Sequence, residues 1–96
     1  MKKSNEQSVA EVIRELLQTY GLEKGLATQR LKDAWEGIVG KTIATHTESL
    51  SVRDGKLFVK LDSSVVRSEL GYVKSALVKK LNEAAGEDVI TEMVLF

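Results

Sequence analysis

The 96-residue sequence lacks cysteine and proline and has few aromatic residues: one tryptophan, two tyrosines and two phenylalanines. Without cysteine there is neither a disulfide framework nor a thiolate zinc site, which is compatible with a reducing compartment. No apolar segment follows the polar amino terminus, and no run approaches the roughly 18 apolar residues of a membrane span. We therefore expect a cytoplasmic protein that does not associate with membranes.

Sequence motifs for catalysis are also missing. The sequence contains no Gly-x-Ser-x-Gly elbow, no phosphate-binding Gly-x-x-x-x-Gly-Lys loop and no Gly-x-Gly-x-x-Gly fingerprint. His46 is the only histidine, and a metal or catalytic cluster would need carboxylates that no recognisable spacing supplies. We expect no enzymatic activity, no metal and no cofactor, and a structural or surface role for His46.

Charge is balanced overall but uneven along the chain. Fourteen basic and fourteen acidic residues give a formal net charge of zero, which argues against a histone-like coating protein. Residues 53–80 hold seven basic against three acidic residues, a balance of +4, whereas residues 83–96 hold four acidic residues and no basic one. This separation predicts either one basic face or two ordinary solvated surfaces.

Two amphipathic helices are predicted in the first half of a single domain that spans residues 8–96, after a polar, flexible segment at residues 1–7. Ser8 and Glu11 have the capping-box spacing, and an apolar stripe then predicts a helix over 9–20, with Gly21 as its stop. The stripe consists of Val9, Val12, Ile13, Leu16, Leu17 and Tyr20.

The second helix follows a short link that contains Gly25 and ends near Gly37 or Gly40. Its predicted apolar face consists of Leu26, Leu31, Ala34, Trp35, Ile38 and Val39. Trp35 lies on this face, so we expect it to be buried in the core rather than to stack on a base. Residues 42–47 include four β-branched residues, Thr42, Ile43, Thr45 and Thr47, and fit either a last helical turn or a connector.

The hydrophobic period then changes from 3.6 to 2. Two alternating runs flank Asp54-Gly55, which predicts a tight β-hairpin. A stripe at Val66, Leu70, Val73, Leu77 and Leu81 predicts a third helix over 64–85 that stops at Gly86, and an apolar, β-branched run predicts a third strand over 89–96. The order α-α-β-β-α-β indicates a small α+β fold, in which a three-stranded sheet has helices on one face and leaves the other uncovered.

A possible phosphate clamp is spelled by Gly37-Ile38-Val39-Gly40 followed by Lys41. Two glycines at this spacing allow the backbone of a KH loop to approach nucleic acid. Ile38 and Val39 are apolar, however, and fit the buried stripe of the second helix. The sequence therefore favours a structural role for this segment over a clamp.

A more suggestive group lies on the hairpin, where Lys56, Phe58 and Lys60 share one face and Arg53 lies across the turn. An aromatic ring between cations can stack a base and neutralise phosphates. Arg67 and Lys74 of the third helix are expected to add positive charge to this candidate nucleic-acid-binding site. The alternative is that Phe58 packs under the first helix or in an oligomer contact.

The sequence resembles the DciA family, formerly a domain of unknown function, over about residues 8–96. The matching segments are Trp35-x-x-x-Val39-Gly40-x-x-Ile43-Ala44-x-His46-Thr47, Asp54-Gly55-Lys56-Leu57-x-Val59-x-Leu61-x-Ser63-Ser64, Glu69-Leu70 and Leu77-x-x-x-Leu81-Asn82. Within these segments, we expect Trp35, Gly40, His46 and Thr47 to stabilise the fold rather than to contact a partner.

The resemblance implies a KH-like domain that binds the bacterial replicative helicase and assists it on single-stranded DNA. Many members carry a flexible, basic extension after the domain, and contacts that depend on it are not expected from residues 8–96. We therefore expect a helicase-associated adaptor that binds single-stranded DNA weakly. The alternatives are a homodimerising protein-interaction module without direct nucleic-acid binding and an RNA-binding KH-like module.

Overall fold

The computed structural model describes residues 9–13, 15 and 22–96. Residues 9–13 and 15 are helical, in agreement with the first predicted helix, and the side chains of Val9, Val12 and Ile13 are exposed. The predicted cap at Ser8, the remainder of that helix and its stop at Gly21 lie outside the described residues.

Helix α1 (Leu22–Val39) and the short helix α2 (Lys41–Thr45) come first among the elements that build the core. The predicted link at Gly25 was wrong, because Gly25 lies inside α1. Leu26 was also placed wrongly: it is 48% exposed, whereas Ala27 is buried with Leu31 and Trp35 at four-residue spacing. Gly40 separates the two helices at φ +95° and ψ +161°, a conformation that strongly favours glycine.

Strands β1 (Thr47–Arg53) and β2 (Lys56–Leu61) form the predicted antiparallel hairpin. Arg53 pairs with Lys56, so the loop contains two residues only. Both have positive φ, +53° at Asp54 and +75° at Gly55, as a type I′ turn requires. The turn prediction is confirmed, and the local chemistry of Asp-Gly explains it.

The predicted third helix is two helices, α3 (Ser64–Gly71) and α4 (Lys74–Ala85). Ser63 caps α3 by accepting a hydrogen bond from the Val66 N–H, 3.2 Å away. At the break, the N–H groups of Tyr72 and Val73 donate to carbonyls three residues back. Glycine followed by an aromatic and a β-branched residue is a weak helix-forming sequence, so the continuous hydrophobic stripe was misleading here.

Strand β3 (Glu92–Leu95) is shorter than predicted and lies parallel to β2, in a sheet of order β1-β2-β3. Val89 and Ile90 are buried but lie outside the strand. The Asn82 side chain holds them by accepting hydrogen bonds from both N–H groups, at 2.9 and 3.1 Å, and donating to the Ile90 carbonyl at 2.8 Å. The Asn82 side chain thus satisfies backbone groups of Val89 and Ile90 that a neighbouring strand would otherwise bind.

The core lies between the helices and one face of the sheet. Leu57, Val59 and Leu61 of β2 form one buried cluster with side chains from α1, α3, α4 and β3. Helical residues in the cluster include Leu31, Trp35, Val66, Leu70, Leu77 and Leu81. The predicted α+β class and element order are thus confirmed. In the part of the chain that the structure describes, no helix is long and apolar enough to cross a membrane.

Candidate nucleic-acid interface

The hairpin register determines which side chains face away from the core. Because side chains alternate along a strand, the partners of buried Leu57 and Val59 share the core face, and the intervening positions share the other face. We call this second surface the open face. It consists of Ser49, Ser51, Arg53, Lys56, Phe58, Lys60, Glu92 and Val94.

Phe58 lies at the centre of the open face, between Ser51 of β1 and Val94 of β3. Its side chain is half-buried, whereas Arg53, Lys56 and Lys60 are exposed. The Arg53 guanidinium carbon lies 5.0 Å from the Phe58 ring centroid, within the range of a cation–π contact. The open face therefore combines one accessible aromatic ring with three cations.

Two carboxylates lie beside these cations. Glu48 Oε1 is 3.7 Å from Lys60 Nζ, and both side chains are about half exposed (47% and 54%). Glu92 is the cross-strand partner of Lys56. Both acidic residues lower the local positive charge. The sequence alone did not place either carboxylate at the site, because charges were compared along the chain and not across the strands. The alternation of side chains along the predicted third strand could have placed Glu92 on this face.

Arg67 and Lys74 are not on the open face. Arg67 belongs to α3 and is half-buried, and its Nε atom has no hydrogen-bond partner among the described residues. Lys74 is exposed at the start of α4, where it borders a depression together with Thr91, Met93 and the open-face residue Glu92. The structure therefore brings four of the six predicted site residues together and leaves these two in the helical layer.

Comparison with known proteins shows the family of this chain. The family model described as "Dna[CI] antecedent, DciA" matches residues 8–95. The chain belongs to the DciA family.

Relatives of this DciA-family chain include a UPF0232 protein of Corynebacterium glutamicum, 30% identical over 94% of the chain and 51% of the relative. A UPF0232 protein of Mycobacterium tuberculosis is 28% identical over 91% of the chain and 46% of the relative. A Mycolicibacterium smegmatis relative, described as lying in the recF-gyrB intergenic region, is 26% identical over 91% and 45%, respectively. The chain thus spans about half the length of these relatives. No solved structure matches it significantly.

The DciA signature residues of the first half are structural. Trp35 is 3% exposed, as expected from its place in the apolar stripe. Its Nε1–H donates to Thr47 Oγ1 at 3.1 Å, and the Thr47 hydroxyl donates to the Ile43 carbonyl at 2.8 Å. This chain of two hydrogen bonds joins α1, α2 and β1. Trp35 and Thr47, twelve residues apart, therefore share one structural role.

His46 joins the two ends of the hairpin. Its Nδ1 lies 2.7 Å from Asp62 Oδ1, and its carbonyl accepts the Asp62 N–H at 3.0 Å. The arrangement holds the start of β1 against the end of β2, which agrees with a structural role. Across the described ranges 9–13, 15 and 22–96, no cluster of three or more His, Asp or Glu residues could hold a metal ion.

The Gly37–Gly40 segment has the geometry of a helix end. Gly37, Ile38 and Val39 complete α1, and Gly40 donates its N–H to the Glu36 carbonyl at 2.8 Å. Ile38 and Val39 pack against the core. These contacts match the structural interpretation of the two glycines rather than an exposed phosphate clamp.

Proposed function

We propose that this DciA-family chain is a non-enzymatic, nucleic-acid-associated adaptor that assists the replicative helicase on single-stranded DNA. The observation that carries the proposal is the open face, where Phe58 is surrounded by Arg53, Lys56 and Lys60 in a member of this family. The proposed role requires no catalytic residue.

The chemistry of the open face suits a single strand better than a duplex. Unpaired bases expose their planar faces, and stacking on an aromatic side chain contributes about 1–3 kcal/mol per base. Lys56 and Lys60 flank Phe58 along β2, so their ammonium groups are placed to neutralise phosphates on either side of a stacked base. Ser49 and Ser51 add hydroxyl groups on β1 that can donate to the same backbone.

Weak binding is expected because the positive charge is partly compensated. Lys60 is within 3.7 Å of Glu48, and Lys56 faces Glu92 across the strands. A phosphate must compete with these carboxylates for the lysines. We therefore expect micromolar or weaker affinity for an isolated chain, which fits an adaptor whose main anchor is the helicase.

The helicase partnership can be tested by co-purification from a bacterial extract, with and without nuclease treatment. Recovery of the replicative helicase in both samples is the expected result. Recovery of the helicase only in the untreated sample would mean that the two proteins bind the same DNA strand without touching each other. A Lys56→Ala, Lys60→Ala double variant is the matched control, because it should lose DNA-dependent recovery only. Loss of the helicase from every sample would reject the adaptor role.

A protein-interaction module is the second candidate, and one surface favours it. Tyr72 is 86% exposed, Val65 66% and Val73 44%. Val65 and Tyr72 are seven residues apart, so they lie on one side of α3 at its corner with α4. Sedimentation equilibrium on the chain and on Tyr72→Ser distinguishes the candidates. A dimer that the substitution dissociates, together with no affinity for oligo-dT, would favour the homodimerising module.

A further inference from the structure

Phe96 extends the pairing of β3 beyond the end of the regular strand. Its N–H donates to the Val59 carbonyl at 3.0 Å, and its carbonyl accepts the Leu61 N–H at 2.7 Å. Since side chains alternate between the two faces, Phe96 lies on the same side of the sheet as Val94. Val94 is the cross-strand partner of Phe58, so both phenylalanines of the chain face the same way.

The spacing of the two rings suits adjacent bases. Phe96 lies two residues beyond the position that pairs with Phe58, and side chains in this diagonal relation are about 7–8 Å apart. Phe96 is 52% exposed, so its ring is accessible. Lys60, the next residue of β2 on this face, lies beside it.

We propose that Phe58 and Phe96 form a two-position stacking platform that holds neighbouring bases of one single strand. This inference rests on the proposed function and adds a second contact site to it. Charge identifies the occupant: Lys56 and Lys60 lie next to the two rings and Arg53 covers one of them. A polyanion with planar apolar groups matches this combination of rings and cations.

The length of the platform limits the ligand. From Lys56 to Lys60 the strand advances roughly 13 Å, at about 3.3 Å per residue. An extended strand that places one base on each ring, at the spacing of about 7–8 Å between the two side chains, covers that distance with about three nucleotides. Affinity per binding site should therefore rise with oligo-dT length up to about three nucleotides and change little for longer oligonucleotides.

The direct test is a fluorescence-anisotropy titration of labelled dT4 at low salt with Phe96→Ala and Phe96→Leu. Each should weaken binding at least about five-fold, the lower end for losing one base–aromatic stack, since leucine keeps apolar bulk without a planar ring. Leu26→Ala is the matched control, because Leu26 on α1 is an apolar side chain exposed to nearly the same extent as Phe96 (48%) and belongs to no proposed binding surface. It should leave affinity unchanged.

A second readout is independent of affinity. In Phe96→Trp, a stacked base should quench the new indole on addition of dT4, beyond any quenching seen in the parent chain, whose Trp35 is buried. Normal binding without added quenching would overturn the platform. The platform would also be overturned if Phe96→Ala and Phe96→Leu bound dT4 as well as Leu26→Ala does while Phe58→Ala bound it weakly, although the proposed function would then stand. Absence of dT4 binding by the parent chain would reject both.

Discussion

The guanidinium group of Arg53 lies over the ring of Phe58, 5.0 Å from its centroid. The two residues are on neighbouring strands of the hairpin, and the two-residue turn at Asp54-Gly55 fixes their separation. A base that stacks on Phe58 must share the ring with this cation or displace it. If it is displaced, the Arg53 guanidinium is free to contact a phosphate of the same strand.

Phe58→Ala should weaken oligo-dT binding at least about five-fold, because one stacking surface worth about 1–3 kcal/mol is lost. The dependence of affinity on salt should stay the same, since stacking releases no counterions. Titrations at three salt concentrations measure both quantities. A parallel loss of salt dependence would mean that the substitution had displaced Arg53 as well.

Glu92→Gln should strengthen oligo-dT binding, because it removes a carboxylate that faces Lys56 across the strands. The expected gain is about two- to five-fold at low salt, the scale of one exposed charge interaction of up to about 1 kcal/mol. Glu83→Gln makes the same chemical change on the exposed surface of α4, away from the open face. Equal gains for both variants would indicate a general effect of net charge instead of a local one.

Trp35→Ala should destabilise the fold by about 3–5 kcal/mol, the usual cost of emptying a large aromatic site. Thr47→Val should cost about 1–3 kcal/mol, because it leaves the buried Trp35 Nε1–H without its acceptor and removes one of the two hydrogen bonds that the Ile43 carbonyl accepts. Urea denaturation of both variants gives these free energies. An unchanged unfolding midpoint for Trp35→Ala would contradict its place in the core.

Asn82→Ala should destabilise the chain by about 2–3 kcal/mol, because three hydrogen bonds to Val89 and Ile90 are lost together. Asn82→Asp keeps the acceptor for the two N–H groups but places a carboxylate oxygen against the Ile90 carbonyl. Its stability should therefore lie below that of the parent chain. Thermal unfolding of the two variants checks this, and full stability of Asn82→Ala would show that the loop is held by its apolar contacts alone.

Local chemistry made parts of this fold predictable from sequence. Asp54-Gly55 specified the turn, and the alternation around it placed Lys56, Phe58 and Lys60 on one face. Ala27, Leu31 and Trp35 are spaced four residues apart, as expected for one buried face of a helix. Leu26 was predicted to be in the core in place of Ala27 because leucine is the more hydrophobic of the two, but the small side chain of Ala27 is the one that is buried.

Long-range pairing and local helix breaks were harder to predict. The parallel register of β3 brings Glu92 opposite Lys56 and Val94 opposite Phe58, and residues so far apart in sequence carry no local signal of their pairing. The break at Tyr72 and Val73 lay hidden within an unbroken apolar stripe. Arg67 and Lys74 were expected to add charge to the site from one continuous third helix, whereas they lie on two separate helices, α3 and α4.

The most direct test of the open face as a single-strand binding surface is the salt dependence of oligo-dT affinity for the parent chain, Lys56→Ala and Lys60→Ala. With three or four phosphate contacts, log affinity should fall against log salt with a slope of about −2 to −3, and each substitution should reduce the slope by about 0.7. No binding at low salt, or affinity and slope untouched by both lysine substitutions and by Phe58→Ala, would contradict this site.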